Sequence, residues 1–296
     1  MQPTNTLEIN LVAGCQVRCS YCPYSKLIKS YQRDYPSLHF SLRNNQVPLM
    51  SFDIFKIILS KLPKHEMWID WSGFVENFLH PETERFMCYA HDLGFQQRLY
   101  TTLANCTVER LQKIQHINFL CISLHLVDSL EMLKIVVNEE YLNALEYASH
   151  LRSVSAHTFG YMHPKIKEAQ KTRFKTLHID EKINNRDIIS RASNVECNND
   201  VIQLKLPPKK SGPIICRAIQ AKGSTKYSHN VCDIFGNIYL CCCDFSREVK
   251  LGNLLEQSYD SLFESDNYIA IIEGSKAQDS DIICRGCELS KHHDWN

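Results

Sequence analysis

Three cysteines near the amino terminus carry the clearest chemical signal in this chain. Cys15, Cys19 and Cys22 follow a short apolar segment, with three and then two residues between successive thiols. Thiolates at this spacing can hold three corners of a cubane iron–sulfur cluster and leave its fourth iron open for chemistry. The alternatives are a zinc site, which more often takes paired cysteines and a fourth ligand nearby, or buried packing cysteines.

A second set of cysteines near the other end of the sequence could close a complete four-sulfur cage. The set consists of Cys216, Cys241, Cys284 and Cys287. Four sulfurs fit either a second iron–sulfur cluster or a structural zinc ion. Other cysteines could take the place of Cys241, namely Cys232, Cys242 and Cys243. The unassigned cysteines, expected to be mostly buried packing residues, are Cys88, Cys106, Cys121 and Cys197.

Composition narrows the functional class. The 296 residues contain 33 basic and 33 acidic side chains, so no overall field attracts nucleic acid or an anionic membrane. The sequence shows no secretory signal pattern and no long apolar run. We therefore expect a soluble cytoplasmic protein with neither nucleic acid nor membrane as partner. Fourteen cysteines in a reducing compartment favour metal or redox chemistry over disulfides.

Strand-like and helical segments alternate through the first part of the chain. Strands are predicted over 7–13, 67–72, 97–103, 117–124 and 153–162. Helices are predicted over 51–62, 82–93, 108–115 and within 129–151, with a weaker helix and strand in 165–180. Such alternation predicts a parallel sheet that binds ligands at the carboxyl ends of its strands. Farther on, residues 230–241 resemble a β-hairpin, and 254–264 is predicted to be a helix.

The first cysteine loop resembles that of a known family. Cys15-x3-Cys19-x2-Cys22, with Tyr21 before the third cysteine, is similar to the signature loop of radical S-adenosylmethionine enzymes. The resemblance implies a [4Fe-4S] cluster whose open iron binds S-adenosylmethionine, with Tyr21 near the adenine.

Two later segments share this resemblance. Residues 70–81 resemble the family's second-strand motif, in which Gly73 and Glu76 match and Asn77 replaces a frequent proline. The match implies that Glu76 binds the methionine amino group. Residues 121–125 resemble the fourth-strand run Ile-Ser-Leu-Asp, which places Ser123 near the cofactor.

The carboxyl-terminal part resembles the auxiliary-cluster modules called twitch and SPASM domains. The resemblance implies a partial (β/α)6 TIM-like barrel over 1–195 and a small α+β domain with a β-hairpin over 196–296. This domain would hold one auxiliary [4Fe-4S] cluster. Residues 188–194 resemble a Ser-Arg-Ala-Gly-Asn run, so Arg191 is expected to bind the cofactor carboxylate or an anionic substrate group.

The family implies an enzyme in which a 5′-deoxyadenosyl radical abstracts hydrogen from a polyol, an amino sugar or a peptide. The auxiliary cluster would then accept an electron, which favours a dehydrogenase-type oxidoreductase. A flavodoxin or ferredoxin would supply reducing electrons. The alternatives are a ribosomal-peptide maturase that forms epimers or crosslinks, and a non-catalytic electron carrier or zinc-binding interaction protein.

Overall fold

The computed structural model describes residues 5–38, 47–182, 189–195, 204, 206–216 and 227–293. Within these residues, eleven strands form one nine-stranded sheet and one small two-stranded sheet. The strands are β1 (Asn5–Ile9), β2 (Met67–Trp71), β3 (Gln96–Thr101), β4 (Cys121–His125), β5 (Val154–Phe159), β6 (Ile179–Lys182), β7 (Ile214–Cys216), β8 (His229–Cys232), β9 (Asn237–Tyr239), β10 (Lys250–Asn253) and β11 (Ser290–His292). Cys197, predicted to pack in the interior, lies outside the described residues.

Helices connect the first six strands. The helices are α1 (Tyr24–Asp34), α2 (Phe52–Ser60), α3 (Thr83–Asp92), α4 (Val108–Ile114), α5 (Glu139–Ser149), α6 (Pro164–Gln170) and, after β10, α7 (Asp266–Lys276). Strands β1 to β6 are parallel and lie side by side in chain order. The repeated strand–helix units confirm the predicted partial (β/α)6 barrel. The sheet is not closed, because β1 pairs on its other side with β8.

Successive side chains along each strand point alternately to the core beneath the helices and to the interior of the open barrel. Leu7, Ile69 and Leu99 are buried on the face that meets the helices. On that face Phe55 of α2 packs against Trp71 of β2, with ring centroids 5.9 Å apart. Side chains in a strand point alternately to opposite faces, so the intervening residues face the barrel interior.

Local capping explains where several helices begin. Ser51 accepts a hydrogen bond from the Ile54 amide at 3.2 Å and caps α2. Asn138 caps α5 in the same way, at 2.9 Å from the Tyr141 amide. The predicted helical region 129–151 is helical only from Glu139 onward, because its cap lies at Asn138.

One helix was missed and one helix prediction was wrong. The helix α1 was not predicted, although its amphipathic pattern buries Leu27 and Tyr31. The predicted helix over 254–264 is instead a turn region with a short 3-10 helix at Asp260–Glu264. The α-helix begins after it because the Ser265 side chain accepts from the Tyr268 amide and caps α7.

The predicted β-hairpin is confirmed as β8 and β9, and it extends the main sheet. Strand β8 lies parallel to β1, and the Thr6 amide donates to the Ser228 carbonyl at 2.7 Å. The Asn10 side chain donates to the Cys232 carbonyl at 3.0 Å. Residues more than 200 positions apart therefore share one side of the barrel. Among the described residues, no helix has the length and apolar character needed to cross a membrane.

Candidate functional site

The loop that follows β1 brings the first three cysteines to one cavity. Cys15, Cys19 and Cys22 line a space of about 460 Å³ at the carboxyl ends of the barrel strands. The Cys22 amide donates to the Cys19 carbonyl at 3.0 Å, which folds the end of the loop back on itself. The Ser20 amide donates to the Met132 carbonyl at 2.9 Å and fixes the loop against the segment that follows β4.

The protonation of these thiols indicates which group they can hold. Burial raises the pKa of Cys15 to about 12 and the pKa of Cys22 to about 11, and the Cys22 thiolate adds repulsion at Cys15. Burial likewise raises the pKa of Cys19. Three thiolates cannot share this buried space without a compensating positive charge, and bound metal supplies one by deprotonating its thiols. The donor set therefore fits an iron–sulfur cluster held by three cysteines.

Glu76 lies in the same cavity and is held by the end of β3. Its side chain is 5% exposed and accepts from the Thr102 amide at 2.6 Å and the Thr102 hydroxyl at 2.7 Å. The Thr101 hydroxyl and the Phe78 amide donate to the same carboxylate. Burial raises the pKa of Glu76, and the bonds from Thr102 oppose that rise. A carboxylate fixed in this way has a defined orientation toward any cationic group in the cavity.

Gly73, between β2 and Glu76, adopts a conformation that other residues rarely accept. Its φ is +100°, and a Cβ atom there would lie 2.9 Å from the Oδ1 atom of Asn10. The Asn10 side chain accepts from the Phe74 amide at 2.8 Å and so needs this close approach. Glycine is therefore required for the second-strand loop to reach the cavity.

Of the two remaining predicted cofactor residues, one lines the cavity and the other does not. Tyr21 faces the cavity, with its ring 4.7 Å from the ring of Phe159. Ser123 on β4 is half-buried but is not among the cavity-lining residues. A contact from Tyr21 or Ser123 to the cofactor stays a prediction.

Arg191 enters the cavity from a strained turn. Arg191, Ala192 and Ser193 all have positive φ, at 52°, 55° and 64°. Each such residue costs about 1–2 kcal/mol, so surrounding contacts must hold the turn. The Asn194 amide donates to the Ser190 carbonyl at 2.8 Å.

The same turn is fastened to the second cysteine region. The Asn194 side chain donates to the Cys243 carbonyl at 2.9 Å, and the Ser193 hydroxyl donates to the Gly286 carbonyl at 3.2 Å. Arg191 itself donates from Nη1 to the Sγ atom of Cys242 at 3.8 Å. The position of Arg191 therefore depends on how the carboxyl-terminal cysteines are arranged.

All four cysteines of the second set line one small apolar cavity. They are buried, with exposed fractions between 6% and 8%. Pairing of β7 with β11 places Cys216 opposite Ser290, beside the Cys284–Cys287 turn. In the part of the chain that the structure describes, no three His, Cys, Asp or Glu side chains form a group suited to one metal ion. The four cysteines surround one space.

Arg285, inside the Cys284–Cys287 pair, holds this region together. Its guanidinium is fully buried and donates to the carbonyls of Lys210, Gly212, Gly274 and Ala277 at 2.6–2.8 Å. These bonds connect the segment before β7 with the end of α7, so the turn that carries the cysteine pair has a fixed position.

Comparison with known proteins identifies this region. Residues 225–288 match the family model of the SPASM iron–sulfur cluster-binding domain. The chain carries a SPASM domain. The match includes Cys241, Cys284 and Cys287, while Cys216 lies just before it. Among curated proteins, none matches this sequence.

Solved structures show the same fold along nearly the whole chain. BtrN in complex with AdoMet and 2-DOIA is 16% identical, with a TM-score of 0.56 over 97% of this chain and 94% of that one. Native anSMEcpe with AdoMet and the Cp18Cys peptide is 13% identical, with a TM-score of 0.54 over 96% and 86%. SuiB of Streptococcus suis bound to S-adenosylmethionine is 11% identical, with a TM-score of 0.57 over 97% and 71%. The fold and the SPASM domain together confirm the predicted resemblance to the radical S-adenosylmethionine family.

The alternatives to Cys241 in the SPASM domain occupy different positions. Cys232 is fully buried on β8, outside the cavity, with its Sγ atom 3.4 Å from the Asp233 carbonyl. Cys243 lies within hydrogen-bonding distance of Cys241, Cys242 and Cys287. Cys242 lines both the small apolar cavity of the second cysteine set and the cavity of the first three cysteines. The choice among Cys241, Cys242 and Cys243 as ligand stays open.

Several cavity residues were not predicted as site residues. Glu8, Asp70, Tyr100 and His229 all line the first cavity. The sequence does carry one signal for them, since Glu8 and Asp70 are charged residues inside otherwise apolar strands. Buried charges of this kind need partners, and the partners come from distant parts of the chain.

Proposed function

We propose that the protein is a radical S-adenosylmethionine enzyme that oxidises a small hydroxylated molecule, a polyol or an amino sugar. The observation that carries the proposal is the convergence of Cys15, Cys19, Cys22 and Glu76 on one cavity, with Arg191 between that cavity and the SPASM domain. Three thiolates hold a cluster with an open iron, and a fixed carboxylate and a guanidinium face the same space. An amino acid moiety has one cationic and one anionic group that suit these two side chains.

Each residue has a defined role in this proposal. Cys15, Cys19 and Cys22 would hold the [4Fe-4S] cluster, which when bound would supply the electron for cleavage of S-adenosylmethionine to methionine and a 5′-deoxyadenosyl radical. Glu76 binds the methionine amino group and Arg191 the carboxylate. The barrel walls would limit the access of water to the radical and so protect it from quenching.

The SPASM domain would provide the acceptor for the second electron of the oxidation. Removing a hydrogen atom from an alcohol carbon leaves a radical that becomes a ketone by losing one proton and one electron. A cluster held by four cysteines has no open iron for substrate, so electron transfer is the role that suits it. Cys216, Cys241, Cys284 and Cys287 are the ligands we assign to it. A flavodoxin or ferredoxin would reduce the first cluster.

Peptide modification is the second candidate, because one of the similar folds is that of anSMEcpe with the bound Cp18Cys peptide. The small-molecule proposal is supported by the side chains that line the cavity away from the cysteine loop, since Glu8, Asp70 and Tyr100 offer hydrogen-bonding groups there.

The direct test is cofactor cleavage. Protein reconstituted with iron and sulfide without oxygen, then reduced with dithionite, is expected to convert S-adenosylmethionine to 5′-deoxyadenosine. The matched control is the Cys15→Ala, Cys19→Ala, Cys22→Ala variant, which should release none. A wild-type preparation with its full iron content that still forms no 5′-deoxyadenosine would overturn the proposal.

A further inference from the structure

A group of buried ionisable side chains forms a separate wall of the first cavity, apart from the cysteine loop. Glu8 on β1 is 5% exposed and Asp70 on β2 is 1% exposed. The two residues are direct partners in the β1–β2 ladder, so their side chains lie next to each other on the same face. His229, at the start of β8, completes the wall from the other side of β1.

The charges of this wall are compensated within the protein. The His229 Nε2 atom lies 2.6 Å from a carboxylate oxygen of Glu8 and 4.0 Å from one of Asp70. Arg98 on β3 donates to both carboxylate oxygens of Asp70, at 2.7 Å each. Two carboxylates are thus balanced by one imidazolium and one guanidinium.

The pKa shifts of His229, Glu8 and Asp70 are consistent with these ion-pair contacts. Burial opposes the charge of His229, but the Glu8 carboxylate prevails and raises the pKa of the imidazole to about 9. Burial also opposes the ionisation of Glu8, yet His229 and then Arg191 lower the pKa of its carboxyl group. Burial raises the pKa of Asp70 to about 6 against the effect of Arg98. Near pH 7 the wall therefore holds paired charges.

Glu8 also interacts electrostatically with Arg191, but no residue of this wall is assigned to the cluster or to the cofactor. Buried ion pairs cost desolvation free energy and are weak contributors to stability, so their presence beside a cavity needs another explanation. The cavity side also carries the hydroxyls of Ser72 and Tyr100. The wall offers strong hydrogen-bond donors and acceptors, and its charges are balanced within the protein. It therefore suits an uncharged ligand that carries hydroxyl groups. A carboxylate would meet Glu8 and Asp70, and an isolated cation would meet the imidazolium of His229.

We propose that Glu8, Asp70 and His229 form the binding wall for the hydroxyl groups of the substrate, with the Glu8–His229 pair placed at the alcohol that is oxidised. This assignment rests on the proposed function. In that oxidation the C–H hydrogen atom leaves to the 5′-deoxyadenosyl radical. The Glu8 carboxylate, which is the base of the pair, accepts the O–H proton, and the remaining electron would go to a cluster held by the SPASM cysteines, so that a ketone forms. Sites built to bind a hydroxyl group reject analogues that lack it, because their polar groups are then left unpaired.

Anaerobic calorimetry on the reconstituted protein with S-adenosylmethionine tests this wall. The hydroxylated probes are myo-inositol and glucose, which are uncharged, and the probes without alcohol groups are succinate and triglycine. We expect at least one hydroxylated probe to bind, and its affinity to fall at least tenfold in Glu8→Gln. The matched control Glu82→Gln changes an exposed carboxylate at the start of α3 and should bind as the wild type does.

Tyr100→Phe provides a second variant in case Glu8→Gln fails to fold. The Tyr100 side chain is 38% exposed and lines the cavity, so loss of its hydroxyl should leave the fold intact and weaken binding about fivefold. Tighter binding of succinate or triglycine, unchanged affinity in the variants that fold, or binding of none of the four probes would each overturn the assignment. Cleavage of S-adenosylmethionine, measured on the same samples without probe, reports separately on the proposed function.

Discussion

The Nη1 atom of Arg191 lies 3.8 Å from the Sγ atom of Cys242, at the boundary between the two cysteine sites. Cys242 lines both cavities, whereas Arg191 lines only the first. The arginine stands on a turn whose bonds run to the SPASM domain through Asn194 and Ser193. The two sites are therefore mechanically connected, and a change in one should be measurable in the other.

Arg191→Lys should weaken cofactor binding. Lysine keeps the positive charge but lacks the planar fork that matches a carboxylate. We expect the dissociation constant for S-adenosylmethionine, measured by anaerobic calorimetry, to rise about tenfold or more. Arg85→Lys, at an exposed position on α3, serves as the control. Equal affinities for Arg191→Lys and wild type would remove the guanidinium from the cofactor site.

The combined Cys284→Ala and Cys287→Ala variant should lose roughly half of the bound iron, since each site holds one four-iron cluster. Cofactor cleavage should stay detectable because the first three cysteines are unchanged. Iron and sulfide analysis of reconstituted protein measures the loss. The control is Cys88→Ala with Cys121→Ala, two half-buried cysteines outside both cavities. Iron content equal to wild type would contradict a second cluster.

Asn77→Ala should destabilise the loop that carries the cluster cysteines. The Asn77 side chain accepts from the Leu11 amide at 2.9 Å and donates to the Ile9 carbonyl at 2.8 Å, with both bonds buried. Loss of both leaves two backbone groups unsatisfied, which lowers the free energy of unfolding by about 2–3 kcal/mol. Urea unfolding measures this change, with Asn118→Ala at an exposed site as control. A change no larger than that of the control would mean that the loop does not depend on Asn77.

The Glu8–His229 pair should give stability a characteristic pH dependence. The pKa of His229 is raised from 6.5 to about 9, so its stabilising effect is full below pH 6.5 and is lost as the pH rises through 9. Wild type should exceed His229→Gln by up to about 3 kcal/mol at pH 6.5 and approach it near pH 9.5. Urea unfolding across this range measures the difference, and the exposed His178→Gln is the control. A difference that stays constant with pH would show that His229 is not charged in the folded protein.

The first site could be predicted because its signals are local in sequence. Cys15, Cys19 and Cys22 lie within one loop, and Glu76 lies three residues after the glycine that its motif requires. The departure from the family at Asn77 also has a local consequence, since its side chain ties the second-strand loop to the exit of β1.

The wall formed by Glu8, Asp70 and His229 could not be predicted from sequence, because only the pairing of distant strands in the sheet brings these residues together. His229 reaches Glu8 because β8 pairs with β1, a contact between segments about 220 residues apart. No periodicity or spacing encodes such a pairing. The helix error at 254–264 has a different origin, because the cap at Ser265 overrides the apolar pattern before it.

The most direct test of the account is whether S-adenosylmethionine binds to the cluster of the first three cysteines. We expect the electron paramagnetic resonance spectrum of the reduced Cys284→Ala, Cys287→Ala variant, which isolates that cluster, to change when S-adenosylmethionine is added. The Cys15→Ala, Cys19→Ala, Cys22→Ala variant should show no such change. A spectrum of the isolated first cluster that is identical with and without S-adenosylmethionine would contradict the open iron on which the proposed chemistry depends.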